Sequence, residues 1–146
     1  MSVVNFFSAD KKLHFVSKRE LKAFLNELFA NESKKISRLD YIFCSDSFLL
    51  DINRRFLNHD FYTDIITFDL SDTKNEIVAE IYISLDRVKE NARKLETKYR
   101  NEILRVVFHG ALHLCDYKDK SQKQIKEIRQ KEDFYIKQFE RKHPLL

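Results

Sequence analysis

Glycine and proline occur once each in this 146-residue chain, and tryptophan not at all. So little of either turn former leaves scant material for tight turns or flexible linkers, and no repeat or low-complexity tract is visible. The two cysteines, Cys44 and Cys115, do not make a disulfide framework. Charged residues break every apolar run well short of the roughly 18–20 residues that cross a bilayer, so a membrane is not an expected partner. Residues 1–7 are too short for a secretion signal and lead into charges, and the expected compartment is the reducing cytoplasm.

What the chain does have is aromatic residues, thirteen phenylalanines and six tyrosines, enough to build a core. A chain of this length is expected to form one domain, residues 1–146, stable without disulfides or a structural metal, so that any bound metal is free to serve chemistry. The net charge of +4 and pI near 9.0 permit a nucleic-acid partner without demanding one.

Strand-like runs occur at 3–7 and 13–16, after which Ser17-Lys18-Arg19-Glu20 reads as a capping box. Leu21, Phe24, Leu25, Leu28 and Phe29 follow at helical spacing and predict a helix ending near 31–33. Leu39, Tyr41 and Phe43 alternate as in a strand, and Ser45 or Asp46 caps a helix carrying Phe48, Leu49, Ile52 and Phe56. A loop at 58–63 leads to a strand at 64–69, which a turn at 71–75 joins to a second strand at 77–84, a predicted β-hairpin. A helix opens around Leu85 or Asp86 with Val88, Ala92 and Leu95 on its buried side. The segment 98–114 is apolar nearly all round and predicts a central helix, whereas 121–141 sets Ile125, Ile128, Phe134, Ile136 and Phe139 among Lys and Glu, the pattern of an amphipathic surface helix. The expected fold is α+β, one small mixed sheet packed by helices, with the chemistry at the end of the central helix.

That chemistry begins with His109-Gly110-Ala111-Leu112-His113. Residues four apart on a helix point the same way, so the two imidazoles can hold one metal ion. Glycine inside a helix costs roughly 0.5–1 kcal/mol relative to alanine, so Gly110 predicts a close approach to the backbone beside His109. A third ligand is available from Asp119, if the chain turns back after Asp116, or from Asp116 or Cys115. The spacing alone serves equally well for two core or surface histidines. Gly110 also stands where an H-E-x-x-H peptidase carries its glutamate base, which argues against that chemistry.

The run from His109 to Asp119 resembles the YbeY-family signature H-G-x-L-H-L-x-G-(Y/F)-D-H. Residues 53–68 resemble that family's segment L-N-x-x-(Y/F)-R-x-x-D-x-x-T-D-V-L-S-F, and Ala79-Glu80-Ile81-Tyr82-Ile83-Ser84 its strand G-(D/E)-I-x-I-S. The resemblance implies a metal-dependent endoribonuclease that cleaves single-stranded RNA during small-subunit ribosomal RNA maturation and ribosome biogenesis, by metal-activated water. It implies a single zinc ion per chain, or another divalent transition metal, on His109, His113 and Asp119, with ribosomal RNA and small-subunit ribosomal proteins as partners and no DNA.

The departures carry information too. The family's third histidine is Asp119 here, an accepted zinc ligand that also suits harder ions such as manganese. Its glycine after the helix is Asp116, at a position expected to be left-handed. Its cleft arginine is Leu57, which cannot hold a phosphate, so that role is either absent or taken over by a neighbouring basic side chain, with Arg55 or His59 as the candidates. Ala79 replaces a glycine, and Glu80 beside it is assigned no catalytic role. Two other readings stay open: an RNA-binding assembly factor with a structural metal and little catalysis, and a metal-dependent peptidase or amidase.

Overall fold

The structure, a computed structural model, describes residues 3–144, so the outermost residues of the expected domain, 1–2 and 145–146, lie outside the described ones. The chain runs β1 (Val4–Ser8), α1 (Lys18–Asn31), β2 (Ile36–Cys44), α2 (Asp46–Leu57), β3 (Ile65–Asp69), β4 (Ile77–Ser84), α3 (Leu85–Leu95), α4 (Tyr99–Leu114) and α5 (Gln122–Lys142). The sheet has the order β1-β2-β4-β3, parallel between β1, β2 and β4 and antiparallel between β4 and β3. The mixed α+β architecture and the β3–β4 hairpin match the sequence pattern.

Alternation sets the two faces of the sheet. Leu39, Tyr41 and Phe43 on β2 and Ala79, Ile81 and Ile83 on β4 enter the main core with α1, α3, α4 and α5. Ile66, Phe68 and Tyr82 face the other way and meet Leu49 and Ile52 of α2 in a smaller cluster. Four helices start on serines whose hydroxyls accept a backbone N–H in the first turn: Ser17, Ser45, Ser84 and Ser121. The reciprocal capping box forms at Ser121 and Gln124. At Ser17 only half of one forms, since the Glu20 carboxylate lies 3.1 Å from His143 Nδ1.

α4 lies between α3 and α5 and against β3 and β4, with most of its residues buried, as its apolar surface requires. Tyr41 fastens it to the sheet by donating its hydroxyl to the Val107 carbonyl at 2.8 Å. Gly110 faces the same sheet. A Cβ there would stand 2.9 Å from Ile65 Cδ1 and 3.0 Å from Ile81 Cδ1, so the close approach beside His109 is made by isoleucines of β3 and β4.

Some apolar patterns do not become what their spacing predicts. Residues 13–16 form no strand, because the chain leaves the sheet after Ala9 and uses Leu13 and Val16 to plug the core. Leu95 is 61% exposed rather than on the buried side of α3, and Ile125, Phe134 and Phe56 are also exposed. The reason is positional: Leu95 ends its helix, and Ile125 and Phe134 point away from the stripe of Ile128, Tyr135, Ile136 and Phe139 that α5 buries.

Candidate metal centre

The end of α4 decides where its two histidines look. The Tyr117 N–H donates to Leu112 O and the Asp116 N–H to His113 O, both at 3.1 Å, and Asp116 sits at φ 73°. These two bonds and the left-handed residue are a Schellman motif, which closes the helix and reverses the chain. Aspartate tolerates that conformation better than most residues, and its side chain turns to solvent, where Lys34 Nζ meets it at 2.6 Å. The reversal carries Asp119 back over the last turn. Its Oδ2 lies 3.4 Å from His109 Nε2 and 3.3 Å from His113 Nε2, and the two Nε2 atoms are 2.9 Å apart. Asp116 and Cys115 stay outside this group. The Cys115 thiol is buried and pushed up to about 12, chiefly by burial.

Each ring is turned by a partner on its far side. His113 Nδ1 is 2.9 Å from the Tyr117 carbonyl, which can only accept, so the proton sits on Nδ1 and leaves a lone pair on Nε2. His109 Nδ1 is 2.6 Å from Glu132 Oε2, with the same consequence. Glu132 is 3% exposed, and its other oxygen takes Arg105 Nη1 at 3.0 Å. Arg105 also reaches Asp133 at 2.7 Å. Two ring lone pairs and a carboxylate oxygen thus face one point with no proton donor between them, an arrangement that only a cation or an extra proton relieves. Burial works against protonation of His109, but the Glu132 hydrogen bond and the charges of Glu132, Asp119 and Asp64 outweigh it and raise its pKa. The same negative surroundings attract a metal ion. Tetrahedral zinc with bonds of about 2.0–2.1 Å holds its ligand atoms about 3.3 Å apart, so the donor set fits such an ion with little adjustment.

The group opens on a cleft of ≈ 340 Å³ that lies over α4 between α3 and α5. Asp64, at the start of β3, lines it, held by the Ser84 N–H donating to its carbonyl at 2.9 Å. Burial is the main cause that raises the Asp64 carboxyl above its usual range.

Of the residues expected to replace the missing arginine, neither lines this cleft. Arg55 is exposed and lies 3.2 Å from Asp51, one turn away on α2. His59 stacks on Phe61, with ring centroids 5.1 Å apart. Both belong to a segment ordered by buried Asn53, which donates its amide to Phe61 O at 2.9 Å and accepts the His59 N–H on its own carbonyl. Leu57 is the last residue of α2 and exposed. Glu80 lies on the α2 side of the sheet and accepts the Tyr82 hydroxyl at 3.3 Å.

Sequence reasoning missed Glu132, Arg105 and Asp64. Glu132 had a signal: it lies four residues from both Ile128 and Ile136, so the buried stripe of α5 contains one carboxylate. Nothing in that pattern named His109 as its partner.

The sequence profile of Endoribonuclease YbeY matches residues 5–140. The chain belongs to the YbeY family. A relative from Cytophaga hutchinsonii named Endoribonuclease YbeY is 47% identical over 88% of this chain and 90% of its own length. Another of that name, from Porphyromonas gingivalis, is 40% identical over 91% of this chain and 87% of its own. A protein from Thermotoga maritima with a known solution structure superposes with a TM-score of 0.64 at 27% identity, covering 97% of this chain and 93% of that one. The YbeY match spans both histidines, Asp119, Glu132 and Asp64.

Proposed function

We propose that this YbeY-family chain is a metal-dependent endoribonuclease that hydrolyses phosphodiester bonds of single-stranded RNA in the cytoplasm, during maturation of small-subunit ribosomal RNA and ribosome biogenesis. The observation that carries this reading is the convergence of His109 Nε2, His113 Nε2 and Asp119 Oδ2 within 2.9–3.4 Å of one another at a cleft, in a chain whose relatives bear the endoribonuclease name. His109, His113 and Asp119 would hold a divalent ion, zinc or a harder ion favoured by the carboxylate, which would lower the pKa of water and offset charge on a phosphate.

The remaining work falls to side chains. Glu132 and the Tyr117 carbonyl keep both Nδ1 protons in place, so the Nε2 lone pairs stay aimed at one point. Asp64, its carboxyl raised by burial, is placed to give or take a proton at the phosphate oxygens in the cleft. Exposed Phe61 and Tyr62, with Arg54, Arg55, His59 and Arg87, offer stacking and charge to the rest of the strand; Arg87 already lies 5.1 Å over the Tyr62 ring. Small-subunit ribosomal proteins are the proposed protein partners.

A peptidase reading has less support. A side chain at 110 would point at Ile65 and Ile81, so that position offers no base to the cleft. The test is cleavage of a labelled single-stranded RNA by the purified protein, with and without chelator, beside His109→Ala. Expected is cleavage that chelation and the substitution abolish, with the thermal midpoint of His109→Ala close to that of the parent. Intact RNA with metal bound, or hydrolysis of casein instead, would overturn the reading; a collapse of stability with RNA binding retained would favour a structural metal.

A further inference from the structure

Two arginines border the cleft beside the metal centre, and they differ in what occupies them. Arg105 is fully engaged, at 3.0 Å from Glu132, 2.7 Å from Asp133 and 4.0 Å from Glu102. Arg129, on α5 three residues before Glu132, is exposed and has no hydrogen bond or ion pair among the described residues. Across the cleft on α3, the Asn91 side chain is equally without a hydrogen bond among the described residues. The rims beside them are Leu95 and Ile125, 61% and 45% exposed. An unpaired guanidinium, an unused amide and two exposed apolar side chains thus line the same cleft.

We infer that this cleft is a nucleotide subsite in which Arg129 holds the RNA phosphate next to the metal centre and Leu95 and Ile125 flank a base or ribose. The inference rests on the proposed RNA-cleaving function and deepens it. The planar guanidinium can hold two phosphate oxygens at once, which is the role that Leu57 cannot fill and that Arg55 and His59 do not reach in this cleft. A volume of ≈ 340 Å³ lies in the range of small-ligand sites, roughly 300–1,000 Å³. Charge makes the subsite conditional. Asp64, Glu102, Asp119 and Glu132 outnumber Arg105 and Arg129 around it, so phosphate is repelled until a divalent cation redresses the balance.

The test measures binding of a fluorescent single-stranded 2′-O-methyl oligoribonucleotide to the metal-loaded protein over a range of salt. The parent is compared with Arg129→Ala, Arg129→Lys and, as a control for loss of one positive charge, Arg141→Ala at the far end of α5. Arg129→Ala is expected to weaken binding roughly tenfold, equally for all sequences, and to reduce the slope of log affinity against log salt by about 0.7. Arg129→Lys should keep the slope and lose part of the affinity; metal content and thermal midpoint should be unchanged in both. Removing the metal should abolish the difference between parent and Arg129→Ala. If the parent binds and cleaves RNA while Arg129→Ala binds within twofold, or no worse than Arg141→Ala, the subsite is wrong and the nuclease stands. If the metal-loaded parent neither binds nor cleaves RNA, the nuclease reading fails and takes the subsite with it.

Discussion

His109 presents its Nε2 because Glu132 accepts the Nδ1 proton at 2.6 Å, and Arg105 holds the other oxygen of buried Glu132 at 3.0 Å. Removing that carboxylate's charge while keeping its shape isolates the effect on the ring. Glu132→Gln is therefore expected to lower metal affinity about 10- to 100-fold, read by competition with a chromogenic chelator, because the amide fixes the ring and its basicity less well. An unchanged affinity would mean that the ring needs no such partner. Glu132 also marks the limit of what one sequence discloses at this scale. His109, His113 and Asp119 can be read from spacing and motif, since all three fall in one short stretch that ends α4 and turns back after it. Glu132 comes from another helix, and only the fold brings the two together. Leu57 posed a question in the sequence, and the arginine that borders the cleft with no partner among the described residues, Arg129, stands 72 positions on and on a different helix.

Among the elements, Glu32 just after α1 ties that helix to the segment that ends α4. It accepts the hydroxyl of Tyr117 at 2.8 Å and that of Tyr135 on α5, with Lys131 Nζ 3.4 Å away. Burial alone would raise its pKa, but the two tyrosine hydrogen bonds and the lysine charge outweigh that and hold it below the ordinary glutamate value. A carboxyl with a depressed native pKa adds stability that is present above its unfolded value and is lost as pH falls through the native one. The acid limb of the stability curve, below about pH 4.5, should therefore be steeper for the parent than for Glu32→Gln, as measured by urea unfolding at stepped pH. Parallel limbs would remove Glu32 from that role. Since the Tyr117 carbonyl accepts the His113 Nδ1 proton, Glu32 also supports that ligand from one residue further out. At this scale the sequence was most legible: the helices and sheet strands follow from their periodicity, and α1, α2, α3 and α5 each open on a capping serine, whereas α4 starts on Lys98 without one. It was least legible where periodic apolar residues serve something other than the core. Leu13 and Val16 plug the core from a loop, and Leu95 and Ile125 edge the cleft; periodicity marks a face, not what covers it. Gly110 was legible as a site of close approach, but what approaches it is β3 and β4.

Over the whole molecule, the core closes without the metal. The main cluster and the smaller one under α2 hold every buried apolar residue among the described ones except Ala92, and the His–His–Asp group lies at the edge of a cleft with Asp119 exposed. The Cys44 and Cys115 thiols, each pushed up to about 12 mainly by burial, stay protonated at neutral pH and make weak competitors for an ion. Metal loss is thus expected to cost function far more than fold, and a ligand substitution should empty the site without unfolding the chain. Asp119 is the position at which this chain departs from the family's histidine, so it carries the claim that the present residues complete the site. The decisive measurement is elemental analysis of the purified protein beside Asp119→Ala. The expected result is about one divalent transition metal per chain in the parent and much less in the variant, with closely similar thermal midpoints after chelation. Equal metal content in the two proteins, or none in either, would contradict the His109–His113–Asp119 centre.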